Sequence, residues 1–287
     1  METRLTLKDK TVVIGPNRPF VAIGERINPT RRKKLAETMA NGDFSVVQED
    51  ARKQIEAGAQ ILDVNAAIPG ADEPALLAGA VKAVLEVANV PLCIDTANPD
   101  ALRAALEVYP GKALINSTTA EEHMMERVLP LVKQYNAAVI GVITDESGLP
   151  GTPEDRLAVA RKLLKRAADY GIPAEDVVID CLALTVGADP QAGKITLDSI
   201  ALIRQELDAN INLGASNVSF GLPDRKIINT AYLALAIARG MTCAITDPTV
   251  PEIQTTLLAC DLLMGRDEYA MRWIKAYRKR AAAAAPA

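Results

Sequence analysis

The feature that most constrains this chain is a recurrence. Short aliphatic or β-branched runs alternate with longer amphipathic ones eight times in succession. The strand-like runs are Val21–Ile27, Ile61–Ala66, Pro91–Thr96, Ala113–Thr118, Ala138–Thr144, Val177–Leu184, Asn212–Ser219 and Cys243–Asp247. Helical patterns fall between and after them, at Phe44–Ala57, Glu73–Ala88, Pro99–Val108, Met124–Tyr135, Pro153–Tyr170, Leu197–Leu207, Arg225–Arg239 and Pro251–Met264. The strand runs are nearly continuous in apolar residues, as strands covered on both faces must be. Their spacing is that of a parallel crossover unit, roughly thirty residues. Eight such units predict an α/β fold, a single (β/α)8 TIM barrel; an open doubly wound sheet is the alternative with the same pattern.

Punctuation agrees with this reading. Asn98 and Thr152 each precede a proline at the first helical position, and Gly171 and Gly240 follow helices where a terminating glycine belongs. Before the first unit, Leu5–Phe20 alternates around Gly15-Pro16-Asn17, predicting a hairpin or plug. After the last, Arg266–Arg280 reads as a terminal helix. The expected organisation is therefore an N-terminal hairpin over residues 1–20, a barrel over 21–280 and a disordered low-complexity tail over 281–287.

Composition excludes several function classes. The 32 basic and 36 acidic residues leave a net charge of −4, so no basic field exists for nucleic acid or an anionic membrane. No stretch is long and apolar enough to span a bilayer, and the start lacks a signal-peptide core, so a cytoplasmic protein is expected. His123 is the only histidine, which rules out His pairs, and it lies between Glu122 and Met124 in a helix-like segment, away from the strand ends where a His-based triad would need it. Cys93, Cys181, Cys243 and Cys260 are scattered without a metal-ligand spacing, and buried reduced thiols are the expectation.

Chemistry on this fold sits at the C-terminal ends of the strands. Those ends carry Glu25, Arg26 and Asn28; Asp63 and Asn65; Asp95 and Thr96; Asn116 and Ser117; Thr144 and Asp145; Asp180; Ser216, Asn217 and Ser219; and Asp247. Each unit delivers a carboxylate, an amide or a hydroxyl to one face. Some of these groups are good caps and loop formers. Together they predict a pocket that hydrogen-bonds a flat polar ligand, because amides donate and accept whereas ionised carboxylates accept only. The acidic groups share no metal-binding motif, so no bound metal is expected. The loops Phe220-Gly221-Leu222-Pro223-Asp224-Arg225 and Asp247-Pro248-Thr249 are not glycine-rich phosphate cradles.

The ordered series Gly24-Glu25-Arg26-Ile27-Asn28, Leu62-Asp63-Val64-Asn65, Asp95-Thr96, Ile115-Asn116-Ser117-Thr118, Ile179-Asp180 and Ser216-Asn217-Val218-Ser219 resembles the pterin-binding methyltransferase family. That family includes the folate domain of cobalamin-dependent methionine synthase and the methyltransferases that complete anaerobic demethylase systems. The likeness covers residues 21–275. It implies that Asp95, Asn116 and Asp180 bind the pterin ring, and that Asn217 lies near N5 and the transferred methyl as the catalytic residue. Glu25, Asn28, Asp63, Asn65 and Ser219 are further expected contacts. The resemblance implies methyl transfer between a corrinoid and N5 of tetrahydrofolate by direct displacement at the methyl carbon, in either direction. The chain has no Asp-x-His-x-x-Gly cobalamin signature, so the cobalamin is expected on a separate corrinoid protein docking at the barrel mouth. Phe220-Gly221-Leu222-Pro223 departs from the glutamine-containing version of the members specific for iron–sulfur corrinoid proteins. The alternatives are a dihydropteroate synthase-like pterin enzyme, for which strand eight lacks the basic diphosphate-binding pair, and a non-catalytic folate-binding module. A homodimer is expected, since relatives commonly dimerise and the helices at Tyr232–Ala238 and Ile253–Met264 have more aliphatic residues than one face needs; the other reading is that this surface packs within the chain.

Overall fold

The computed structural model describes residues 1–284. Its elements run β1 (Thr3–Leu7), β2 (Lys10–Ile14), β3 (Val21–Ile27), α1 (Lys33–Ala40), α2 (Ser45–Glu56), β4 (Ile61–Asn65), α3 (Glu73–Val87), β5 (Leu92–Asp95), α4 (Pro99–Val108), β6 (Gly111–Lys112), β7 (Leu114–Thr119) and α5 (Glu122–Gln134). The second half continues with β8 (Ala138–Val142), α6 (Pro153–Asp169), β9 (Val177–Asp180), α7 (Ala192–Leu207), β10 (Asn210–Asn212), α8 (Arg225–Ala238), β11 (Cys243–Thr246), α9 (Pro251–Leu263) and α10 (Met271–Ala284). Eight parallel strands line up as β10-β9-β8-β7-β5-β4-β3-β11. The ring closes where Thr242 N donates to Ile211 O at 3.0 Å and Ile245 N to Leu213 O at 2.9 Å. The closed (β/α)8 barrel is thus the observed fold, and the open-sheet alternative falls away.

Local chemistry explains the helix starts. The Asn98 side chain accepts from Asp100 N and the Thr152 side chain from Asp155 N, each followed by proline in the first turn. Gly171 and Gly240 both have positive φ, +70° and +109°, which L-residues rarely adopt.

Period-two alternation divides the strands between two cores. Outward residues such as Ala22, Leu62, Ile94, Ile115, Val139 and Ile179 pack beneath the helices. Inward residues Val21, Ile23, Ile61, Cys93, Leu114, Val178 and Cys243 fill the lower barrel together with Leu5, Val12 and Ile14 from the N-terminal hairpin. That hairpin closes the bottom of the barrel. It is extended by β6, which pairs antiparallel with β1; a Cβ on Gly111 would come within 2.1 Å of Thr6 O, so glycine is required there. Asn210 Nδ2 donates to Ile14 O at 3.0 Å and ties the hairpin to the barrel floor.

Several boundaries differ from expectation. The hairpin turns at Lys8–Asp9, with Lys8 at φ +52°, and not at Gly15-Pro16-Asn17, which lies in the link to β3. The seventh barrel strand is Asn210–Asn212, and Ala215–Ser219 is a 3-10 turn. The run Asn212–Ser219 is apolar enough to look like a strand, but closure against β11 needs only three residues before the chain turns across the mouth. An additional short helix, α1, precedes α2. The terminal helix begins at Met271 and continues through Ala284, because alanine is the best helix former; the expected disordered tail is helical over 281–284. Residues 285–287 of that tail lie outside the described residues.

Candidate active site

The alternation that buries Ile23, Ile61, Cys93, Leu114, Val178 and Cys243 low in the barrel places the residues two or four positions further on inside the upper barrel. These are Glu25, Asp63, Asn65, Asp95, Asn116 and Asp180. Two ladder irregularities lie beside them, between Gly24 and Ile27 on β3 and between Asn116 and Thr118 on β7. Such irregularities re-aim side chains at barrel rims.

The polar groups meet as pairs. Asn65 Nδ2 donates to Asp95 Oδ2 at 3.0 Å, and Asn116 Nδ2 to Asp63 Oδ1 at 3.1 Å. Asn212 Nδ2 donates to Asp180 Oδ2 at 2.6 Å, while Leu182 N donates to Asp180 Oδ1 at 2.8 Å. Ser216 Oγ donates to Glu25 at 3.0 Å. Thiols support this layer from below: the Cys243 thiol lies 3.8 Å from Asn212 Oδ1, which fixes the Asn212 amide with its NH2 toward Asp180. All four cysteines are buried and free, in keeping with reduced thiols.

Burial sets the protonation of the acids. It pushes the Asp180 carboxyl up to about 6, against the partial relief of its hydrogen bonds to Leu182, Asn212 and Gly214. It pushes Glu25 upward too, with Ser216 opposing. Asp63 and Asp95 are both raised by burial, and their mutual repulsion raises Asp63 further. Two close carboxyls with raised values hold a shared proton more readily than isolated ones. The upper barrel therefore presents carboxyl groups poised to accept from a ligand's amino and ring N–H groups, interleaved with carboxamides that serve its carbonyl and ring nitrogens.

Not every expected residue joins this set. Asn217 is exposed on the 3-10 turn above it, with Nδ2 close to Gly214, and its carboxamide has no hydrogen-bond partner among the described residues. Asn28 Oδ1 accepts from Thr30 N at 2.9 Å and so shapes the loop after β3. Ser219 is buried against α8, where its hydroxyl donates to Asn229 at 2.7 Å and accepts from Arg225 Nε at 3.0 Å. Asp247 is held by Arg26 at 2.9 Å, and Asp145 accepts from Ser147 in a turn. Asn212 was missed by sequence reasoning because it was placed at the base of strand seven. The signal was present: Asn212 has the same inward parity as its register partner Asp180.

The model of the pterin-binding enzymes matches residues 24–247, from the glycine before Glu25 to Asp247. The chain belongs to the pterin-binding enzyme family. Among its relatives, the methylcorrinoid:tetrahydrofolate methyltransferase of Eubacterium limosum is 29% identical over 266 residues, covering 91% of this chain and 97% of that protein. A methionine synthase of Mycobacterium leprae is 29% identical over 236 residues, and this pterin-binding enzyme spans only 20% of that longer protein. The fold is shared with dihydropteroate synthases. That of Yersinia pestis, solved with a pterine–sulfa conjugate, superposes with a TM-score of 0.69 at 16% identity over 92% of this chain and 100% of that one. That of Xanthomonas albilineans gives 0.67 at 19% identity, over 92% and 98%. Among the described residues of this pterin-binding enzyme, no helix is long and apolar enough to cross a membrane.

Proposed function

We propose that this pterin-binding enzyme transfers a methyl group between a corrinoid, carried by a separate protein, and N5 of tetrahydrofolate. The observation that carries this reading is the set of paired amides and carboxyls in the upper barrel, with an unpartnered carboxamide, Asn217, directly above it. The end-to-end likeness to a methylcorrinoid:tetrahydrofolate methyltransferase supports the same reaction.

In this reading Asp95, Asp63, Asn116 and Asp180 hold the pterin ring edge-on in the barrel, with Asn65 and Asn212 orienting the acids. Glu25 lines the same wall. Asn28 and Ser219 act indirectly, by shaping the loops after β3 and β10. The ring then stands with N5 toward the mouth, where Asn217 reaches it. The corrinoid of the docked partner supplies or accepts the methyl group. Toward folate, the N5 lone pair forms the new N–C bond as the bond to the corrinoid breaks and leaves its electron pair there, and the N5 proton passes to solvent water; the reverse direction takes a proton back from water. The Asn217 oxygen accepts from the N5–H while it is present; in the reverse direction the Asn217 NH2 donates to the nitrogen as its C–N bond breaks. No covalent intermediate with the protein is needed, so orientation and fixed dipoles supply the catalysis. The partner docks at the mouth because the methyl must be handed over there. A second copy of the chain is proposed to cover the late helices, where Ile227, Leu235, Leu263 and Met264 are exposed.

The dihydropteroate synthase alternative needs a cationic diphosphate site on the late strands. Here the strand-eight loop presents Asp247 bonded to Arg26. The test mixes the purified chain, tetrahydrofolate and methylated corrinoid proteins, and follows the corrinoid spectrum together with methyltetrahydrofolate formation. Folate binding with no methyl transfer from any corrinoid protein refutes the reaction and leaves a binding module. Condensation of a pterin diphosphate with an aminobenzoate refutes it in favour of a synthase.

A further inference from the structure

An aromatic ring and two arginines form a cluster at the mouth of the barrel. Phe220, which opens the loop Phe220-Gly221-Leu222-Pro223 after the strand-seven turn, is 46% exposed. Two guanidinium groups flank its ring, Arg31 at 4.6 Å from the centroid and Arg225 at 5.7 Å. They arrive from different places: Arg31 from the loop after β3, where it adopts φ +60°, and Arg225 from the first turn of α8. The loop after β9 completes the platform, with Thr185 Oγ1 donating to Phe220 O at 2.7 Å.

The cluster is built against the pocket wall. Arg225 donates through Nε to Ser219 Oγ and through its NH2 group to Ser216 O at 2.6 Å, and Ser216 Oγ is the donor to Glu25. Phe220 therefore stands one residue-layer outside the upper barrel. Neither arginine has a carboxylate partner among the described residues, and Arg31 makes no side-chain hydrogen bond there. An aromatic face fixes a guanidinium plane while leaving its N–H edge free, the arrangement suited to bidentate carboxylate recognition; Arg31 keeps that whole edge, whereas Arg225 commits Nε and one Nη to Ser219 and Ser216 and has only its other Nη to offer.

We propose that Arg31 and Arg225, ordered by Phe220, bind the glutamate carboxylates of the folate tail as it leaves the barrel, making the cluster a specificity site for folates over tail-less pterins. This rests on the proposed reading of the barrel as a tetrahydrofolate site. The tail of tetrahydrofolate carries an aminobenzoyl ring followed by one or more anionic glutamates. Two guanidinium groups at the exit match that charge, Arg31 with no acid of its own and Arg225 behind it in the field of Glu25, and each additional γ-linked glutamate adds one carboxylate.

The experiment measures equilibrium binding of tetrahydrofolate, its triglutamate form and tail-less 6-methyltetrahydropterin to the wild type, Arg31→Ala and Arg31→Lys. Arg31 is the residue to change because its side chain holds no neighbour in place. Arg31→Ala is expected to weaken tetrahydrofolate and the triglutamate roughly tenfold, the scale of a lost charge-assisted contact at a partly exposed site, and to leave 6-methyltetrahydropterin unchanged. Arg31→Lys should recover part of the loss, and added salt should erode the wild type's preference for the triglutamate. Equal affinity of wild type and Arg31→Ala for tetrahydrofolate overturns the proposal, as does a loss shared by the tail-less pterin. Unchanged folate binding with slower transfer from the corrinoid protein also overturns it, assigning the cluster to the protein partner. Failure of the wild type to bind 6-methyltetrahydropterin at all counts instead against the barrel reading.

Discussion

Asp180 is 7% exposed, and its carboxyl is pushed from 3.8 to about 6 by burial. A group whose folded-state value is raised in this way stabilises the protein only while protonated. Below about pH 4 Asp180 is protonated in both the folded and the unfolded chain, and its ionisation contributes no difference. Between pH 4 and 6 the unfolded chain loses its proton first, so stability falls as pH rises. At about 1.4 kcal/mol per pH unit, the gap from 3.8 to about 6 amounts to roughly 3 kcal/mol lost by neutral pH. Asp180→Asn removes this loss while keeping the shape. Its Oδ1 can still accept from Leu182 N, but its NH2 meets the Asn212 NH2. Asn212 must then turn over and give up its contact with the Cys243 thiol. A rearranged buried hydrogen bond costs about 1 kcal/mol at every pH. The variant is therefore expected to be about 1 kcal/mol less stable than the wild type at pH 4 and about 2 kcal/mol more stable at pH 7–8, while binding tetrahydrofolate at least tenfold more weakly. Denaturant titrations of both unliganded proteins at steps from pH 4 to 8 read this directly. Other titrating acids, present in both chains, largely cancel in the difference. A stability difference that stays constant across that range refutes the claim that the site stores an unfavourable carboxylate for its ligand.

Four further outcomes follow from the same geometry. Asn217→Ala should lower methyl transfer at saturating folate by roughly ten- to a thousandfold, as loss of a transition-state hydrogen bond does, with folate affinity within a few-fold of the wild type; single-turnover kinetics separate the two effects. Leu5 is fully buried in the lower barrel although it belongs to the hairpin, so Leu5→Ala should cost about 2–5 kcal/mol in urea unfolding; a value under 1 would show that the hairpin does not seal the barrel. The four buried thiols, each raised above the ordinary cysteine value mainly by burial, should resist a chromogenic disulfide reagent until the chain unfolds. Leu263, 83% exposed, tests the proposed second copy: sedimentation should show a dimer that Leu263→Glu converts to monomer, and a wild-type monomer would discard the dimer.

Much of this site is legible in the residues because a barrel makes position predictable. Strand ends face one side, and alternation says which residues point inward. Asp63, Asp95, Asn116 and Asp180 could thus be gathered on one face without coordinates. Strand seven shows the limit. Asn212 and Asn217 lie five residues apart in a continuous run, yet one is a buried partner of Asp180 and the other an exposed group on a turn. Local preference does not separate them, because the strand ends where closure against β11 ends. Ser219 shows the same limit: its neighbours Asn229 and Arg225 lie on the following helix, and only packing decides that its hydroxyl faces them.

By itself, the sequence determined the succession of eight strand–helix units, the helix caps at Asn98 and Thr152, and the concentration of acids and amides at one end; closure into a barrel waited on the hydrogen bonds between β10 and β11. The units, caps and polar strand ends follow from period, propensity and capping chemistry, all local to a few turns of chain. Tertiary structure decided which amide meets which acid, how far burial raises Asp180, where the hairpin turns, and that Arg31 and Arg225 converge on Phe220. Those depend on contacts between segments far apart in the chain, and on solvent being excluded from the barrel, which no local pattern encodes.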